Sequence, residues 1–427
     1  MKTLVIGTGA AGNRAAINLV KCGVMKKEDI LLLNSTLTDI PELEEYKDCA
    51  KQFSFDENER RGCGKNRTIG ASLAIRSIMQ KNGIDFMQIV EGYKKVIIVS
   101  SLEGGTGSGS SIIIAEHLIR CTDVKIELYL FKGFSKDIMG LQNTLLFFDE
   151  LDKCMNSLSD EDIRNGKGYR VQIIRNDAFL EETKDELEAQ KLANNEFSRR
   201  VMLSSGDLLN GYYNNDCNNI DVEDLGNIIC SPGYATVEYI DIYDEIVSQE
   251  EYNSLIREMI KSTKSFPIEQ KSIKNVAIFG NLQKNSRANI DYQQTVLKEI
   301  FGDIIDLQDQ FYSEANQREF IAIIIGGAEL PYNAIETIEK EYNKRKKSIN
   351  KANKEQTKFN ISIDNPLNNS FSNNKLVGDK TSSDTLNNNT IISSPFADMY
   401  KNMMSDIEGK NTKKKNQKLD PPNASDY

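Results

Sequence analysis

Apolar residues in the first half of the chain fall into short, nearly unbroken runs, separated by stretches with helical spacing. KTLVIG at 2–7 predicts a buried strand. A glycine turn follows, and NRAAINLVKCG at 13–23 predicts an amphipathic helix closed by Gly23. DILLLN at 29–34 predicts a second strand, TIGASLAIRSIMQKNG at 68–83 a helix, and KKVIIVSS at 94–101 a third strand. SSIIIAEHLIRC at 110–121 predicts the next helix. KIELYLF at 125–131 and YRVQIIRN at 169–176 predict further strands. Strands this apolar, alternating with helices, imply a parallel sheet covered on both faces.

Residues 177–212 carry apolar positions at helical spacing (Leu187, Leu192, Phe197, Val201, Leu208) and predict a long central helical segment. A polar loop follows at 210–226, NGYYNNDCNNIDVEDLG. TVEYIDIY at 236–243, NVAIFGN at 275–281 and FIAIIIGG at 320–327 predict the strands of a smaller second domain, with helices between them. A charged helix is predicted from Pro331 to Phe359. Residues 360–427 are rich in Asn, Ser and Lys and poor in large apolar side chains, so burial cannot offset chain entropy there and a disordered tail is expected. The expected fold is α/β: a Rossmann-like parallel-sheet domain at 1–176, a central helical segment at 177–212, a loop and smaller α/β domain at 213–330, a C-terminal helix at 331–359 and a tail at 360–427.

Composition narrows the chemistry. The formal net charge of -10 disfavours bulk attraction to DNA or anionic membranes. No apolar run approaches a membrane span, and Met1 leads directly into a strand, so no signal peptide is expected and the cytosol is the expected compartment. None of the seven cysteines forms a CxxC pair, which argues against a zinc site or redox pair. His117 is the single histidine, which argues against Ser-His-Asp or Cys-His catalysis and against His-ligated metals. Chemistry must then rest on carboxylates, amides, backbone donors and a hard cation.

Two glycine loops stand between a strand and a helix. Gly7-Thr8-Gly9-Ala10-Ala11-Gly12 fits GxGxxG, where a helix N-terminus offers N–H groups to phosphate. A dinucleotide site would also need an acid at the end of the second strand; that strand ends in Asn34, with Asp39 five residues later. The second loop, SSLEGGTGSGSS at 100–111, is not a Walker A loop, because no lysine follows Gly109. Two such loops on neighbouring strand ends suggest one polyphosphate held between two helices. The competing reading is two tight turns that use glycine for backbone geometry.

EGGTGSG at 103–109 resembles the glycine-rich signature of the tubulin and FtsZ family. GTGAAGNRAAINL at 7–19 resembles its first nucleotide loop, and NNIDVEDL at 218–225 resembles its catalytic loop. GYATV at 233–237 resembles the segment beyond. The divergent loops and lysine-bearing tail look most like TubZ, the plasmid- and phage-borne branch that segregates DNA. The resemblance implies that Thr8, Gly9, Ala10, Ala11, Gly12 and Asn13 hold GTP or GDP from one side. Glu103, Gly104, Gly105, Thr106, Gly107 and Ser108 would hold the phosphates from the other. It also implies that Asn176 reads the guanine edge, that Asp137 approaches the ribose and that Phe197 stacks on the base. A helix cap for Asn176 and a core position for Phe197 remain open alternatives. The family's polar base-reading residue would fall near Val201, which cannot serve, and Asp216 replaces a family glycine before the catalytic loop.

Asn219, Asp221 and Asp224 are the implied catalytic residues, orienting water while Mg2+ neutralises developing charge. A solvated acidic loop is the plain alternative. By resemblance this loop completes the site of the next subunit, so the implied function is an assembly-dependent GTPase that forms head-to-tail filaments. The implied role is DNA segregation, with no membrane contact and no direct sequence-specific DNA reading. Lys410, Lys413, Lys414, Lys415 and Lys418 would dock a DNA-bound adaptor of TubR type, or merely keep the tail soluble. Glu103 either points away from the nucleotide or sits near the Mg2+. The alternatives are an NAD- or FAD-dependent oxidoreductase and a filament scaffold that does not hydrolyse nucleotide.

Overall fold

The structure, a computed structural model, describes residues 2–53, 62–80, 82–134, 137–205, 220, 228, 231–261, 264–269, 272–288, 302, 306–313 and 318–359. The expected tail, with its five lysines, and the loop residues Asn219, Asp221 and Asp224 lie outside them.

The expected α/β class is borne out. Ten strands form one sheet: β1 Thr3–Thr8, β2 Ile30–Asn34, β3 Ala50–Gln52, β4 Lys95–Ser101, β5 Lys125–Lys132, β6 Tyr169–Arg175, β7 Gly233–Asp241, β8 Asn275–Asn281, β9 Asp306–Tyr312 and β10 Phe320–Ala328. Their order is β3-β2-β1-β4-β5-β6-β7-β10-β8-β9. All neighbours run parallel except where β10 lies antiparallel to β7 and β8. The helices used below are α1 Gly9–Lys21, α2 Arg67–Met79, α3 Thr106–Cys121, α4 Ile138–Asn156, α5 Asn176–Thr183, α6 Glu186–Ser204, α7 Gln249–Ile260 and α8 Tyr332–Phe359.

The continuous apolar runs of β1 and β4 have the burial they predict. Val5, Ile6, Val96, Ile97, Ile98 and Val99 are all buried. On one face, Val5, Ile97 and Val99 pack with Ala15, Ala16 and Leu19 of α1 and with Phe197 and Val201 of α6. Each buried Val, Ile, Leu or Phe side chain among them contributes about 1.5–3 kcal/mol. A separate cluster under α7 joins Tyr252, Ile256 and Met259 to Val276, Ile278, Ile321 and Ile323.

Helices α2 and α3 meet backbone to backbone. A Cβ on Gly70 would stand 2.3 Å from the Gly105 carbonyl oxygen, and one on Gly109 would stand 2.1 Å from the Arg67 carbonyl oxygen. Buried Arg67 ties the pair further, donating from Nε to Ser108 Oγ at 3.3 Å and pairing with Glu150 of α4. Gly109→Val is expected to prise α2 from α3 and to cost about 1–3 kcal/mol, measured as a lowered melting temperature. An unchanged melting point would contradict this packing.

The apolar spacing misplaces two helix starts. It predicts them at 13 and 110, whereas α1 begins at Gly9 and α3 at Thr106. The first turns of both helices are glycine-rich, so no apolar side chain marks the period there. The apolar spacing gives no clear signal for α4, because Met139 and Leu146 stand exposed on its outer side and blur its stripe. Strands β3 and β9 were also missed, the first being three residues long and the second a polar edge, DLQDQFY.

Candidate functional site

Strands β1 and β4 are parallel neighbours, and their chain continuations turn to opposite sides of the sheet order. The crevice outside their carboxyl ends is the switch point where open α/β sheets bind ligands. Both glycine loops lie there, packed on each other. Gly9 has a φ of 70°, and a Cβ on it would meet the Gly107 nitrogen at 2.9 Å. A Cβ on Gly107 would meet the Thr8 carbonyl oxygen at 2.7 Å. Glycine is required because two main chains touch.

Between the loops is a cavity of about 410 Å³, within the usual size range for small-molecule sites. Thr8, Gly9, Ala10, Ala11, Glu103, Gly104, Gly105, Thr106 and Gly107 of the expected set line it. Gly12, Asn13 and Ser108 lie behind this lining. A Cβ on Gly12 would overlap the Val99 carbonyl oxygen. Asn13 is fully buried and donates to Leu33 O at 3.2 Å. Ser108 is fully buried against Arg67.

Helices α2, α4 and α6 are capped by the side chains of Asn66, Asp137 and Asp185. Helices α1 and α3, which point at the cavity, have no side-chain cap among the described residues and no acid in their first turns. Their leading N–H groups and positive dipole ends are thus available to an anion. Thr8 Oγ1 is buried at the same place and has no hydrogen-bond partner among the described residues. This donor set fits a phosphate chain.

Two cations that no motif marks also face the cavity. Arg14, one turn into α1, and Lys65 both line the cavity. Lys65 has a φ of 62° in a left-handed pair with Gly64 and pairs with Asp137 at 2.7 Å. That hydrogen bond holds the Asp137 carboxyl below its usual range. Asp137 caps α4 and is not among the lining residues. The only signal for Lys65 was a lysine behind two glycines in RGCGKN. Asn34 and Asp39, weighed above only for the missing ribose acid, also line the cavity.

Asn176 opens α5, half-buried, with Oδ1 lacking a hydrogen-bond partner among the described residues, and stands away from the cavity lining. Phe197 is fully buried in the core, with Tyr129 and Phe131 edge-on to it at 4.8 Å and 6.1 Å between ring centroids. It too is absent from the lining. His117 is buried on α3 beside Phe86, and burial lowers its pKa. Among the described residues, no three His, Cys, Asp or Glu side chains gather as metal ligands.

No protein-family model matches the chain. Its sequence is similar to the cell division protein FtsZ of Mycoplasmopsis pulmonis, 34% identical over 114 residues, which cover 26% of each chain. It is also similar to the tubulin-like protein CetZ2 of Haloferax volcanii, 23% identical over 250 residues, 56% of this chain and 63% of CetZ2. The matched stretches thus span about a quarter of the first relative and under two thirds of the second. Among solved structures, a GTPγS-bound CetZ2 protofilament is similar with a TM-score of 0.60 and 19% identity, over 83% of this chain and all of that one. GDP-form protofilaments of TubZ from Bacillus thuringiensis serovar israelensis are similar with a TM-score of 0.66 and 14% identity, over 84% of this chain and 95% of that one. The fold is the tubulin/FtsZ fold, and both sequence matches are to proteins of that kind. In sequence and in fold the chain is thus similar to proteins of the tubulin/FtsZ family.

Proposed function

We propose that this protein binds GTP between its two glycine loops, hydrolyses it at the junction between subunits, and polymerises head-to-tail. The observation that carries the reading is the pair of uncapped helix N-termini, α1 and α3, abutting through Gly9 and Gly107 around one cavity. Arg14 and Lys65 supply positive charge there for a polyphosphate. The oxidoreductase alternative lacks support, since the loops share a single cavity and Asn34 stands where a ribose acid is needed. Two structures of similar fold add to the reading: CetZ2 as a GTPγS-bound protofilament and TubZ as GDP-form protofilaments. Mg2+ bound with the nucleotide would neutralise phosphate charge. Among the described residues, Asp39 and Glu103 are the carboxylates on the cavity wall.

Asn219, Asp221 and Asp224 are proposed to act in trans. The chain leaves α6 at Ser204, about 28 Å of helix from its start. It re-enters the sheet at Gly233, opposite Arg170 near the beginning of β6. The cavity lies at the other, carboxyl ends of the strands. Both described points flanking the loop therefore favour a role in the next subunit's site. The GTPase rate per subunit is expected to rise sharply above a threshold protein concentration, measured as phosphate release alongside light scattering. Constant specific activity down to high dilution would sink the idea. Asp224→Ala is expected to permit binding and assembly while slowing turnover at least about tenfold. Likeness to TubZ suggests a part in DNA segregation through a DNA-bound adaptor of TubR type. Deleting 360–427 is expected to abolish binding to an adaptor–DNA complex.

A further inference from the structure

We propose that Glu103 and Lys132 form a charge-neutral clamp that positions the second glycine loop and keeps the Glu103 carboxylate from repelling a polyanionic ligand. The inference rests on the phosphate-binding reading above. Glu103 stands on the cavity wall immediately before the glycines. Its carboxylate accepts a hydrogen bond from Lys132 Nζ at 2.7 Å. The Lys132 side chain is 3% exposed and that of Glu103 18%. Lys132 also donates to the Gly133 carbonyl at 3.1 Å, which fixes the ammonium at the end of β5.

The surroundings are shaped to this glutamate. A Cβ on Gly133 would meet Glu103 Oε2 at 2.2 Å, and the three nearest atoms to it all belong to Glu103. A Cβ on Gly140 would meet Glu103 Cβ and Oε2 at 3.1 Å. Asn143 Nδ2 donates to the main-chain oxygens of Glu103 at 3.1 Å and Lys65 at 2.8 Å. Two glycines and one amide thus seat Glu103 and join the loop to the Lys65 turn. A buried ion pair is a weak source of stability because desolvation opposes the attraction. Its arrangement here points to charge control: a bare carboxylate beside a phosphate site repels the ligand, and the neighbouring ammonium cancels that field.

The test titrates GTP, GDP and GMP into the full chain by calorimetry. Lys132→Met uncovers the carboxylate and is expected to weaken GTP roughly tenfold or more. The loss should shrink through GDP to GMP, in step with ligand charge. Adding Glu103→Gln to Lys132→Met should restore most of the GTP affinity. Equal affinities for the single and double variants would overturn the clamp. Gly133→Ala forms a second arm that keeps every charge. It should displace the carboxylate and weaken GTP in the natural background, yet have no further effect beside Glu103→Gly. An undiminished Gly133→Ala effect in that background overturns the proposal, and this arm decides alone if circular dichroism shows Lys132→Met unfolded. A natural chain that binds none of the three nucleotides overturns the phosphate-site reading and the clamp with it. A natural chain that binds GTP while the variants match it overturns the clamp only.

Discussion

Alanine at Gly9 or at Gly107 is expected to remove nearly all nucleotide binding while the chain still folds. Gly9 sits at a φ of 70°, where a side chain costs about 1–2 kcal/mol. Its new Cβ would also stand 2.9 Å from the Gly107 nitrogen. At Gly107 the obstacles are the Thr8 carbonyl oxygen at 2.7 Å and Ser100 Cβ at 3.3 Å. The nearest obstacle in each case is main chain, which cannot rotate aside as a side-chain tip can. The loops must separate, and separation moves both helix N-termini away from a shared ligand. A displacement of this size at a positioned site costs on the order of a hundredfold. Calorimetry with GTP measures the loss, and circular dichroism checks the fold. Two folded variants that bind GTP as the natural chain does would rule out a ligand shared between the loops.

Some of this geometry was readable in the sequence. The glycine loops were legible because a strand ends and a helix begins on either side of each, at Thr8 and Gly9 and again near Ser101 and Thr106. That they touch was not legible, since the contact of Gly9 with Gly107 depends on β1 and β4 being neighbours. Lys65 was invisible for a related reason: its place on the cavity wall comes from a left-handed turn after a stretch without periodicity. Glu103 was seen as an anomaly, but its partner Lys132 is 29 residues away on another strand. Apolar spacing places Phe197 on a helix face, and a stacking aromatic and a core aromatic share that spacing. The structure puts Phe197 in the core among Tyr129 and Phe131.

Arg200→Met is expected to produce the largest loss of stability, about 3–5 kcal/mol, or a fall in melting temperature of about 5 °C in a body of this size. Arg200 is fully buried on α6. Its Nε donates to Glu196 at 2.7 Å, Nη1 to Ser265 at 2.7 Å and Nη2 to Glu238 of β7 at 3.3 Å. The central helix is thereby tied to the β7 side of the sheet through charge. Removing the guanidinium strands two buried carboxylates, which is worse than losing the attraction itself. Replacing all three charges, as Glu196→Gln with Arg200→Met and Glu238→Gln, should therefore recover most of the loss. The pH dependence carries a second signature. Burial opposes ionisation of Glu196, but Arg200 and Lys264 outweigh it and hold its pKa below the ordinary 4.5. In the natural chain this contribution is present above pH 4.5 and fades as pH falls through the lower folded value. Without Arg200, only Lys264 and the Tyr239 hydroxyl still favour the Glu196 carboxylate against burial, so its folded pKa rises from the lowered natural value and the stability held above pH 4.5 shrinks. The melting deficit of Arg200→Met should thus narrow as pH falls from 7 into the ordinary carboxylate range. A deficit that stays constant over that range would mean that the guanidinium acts by filling space, and the triple variant would then fail to recover.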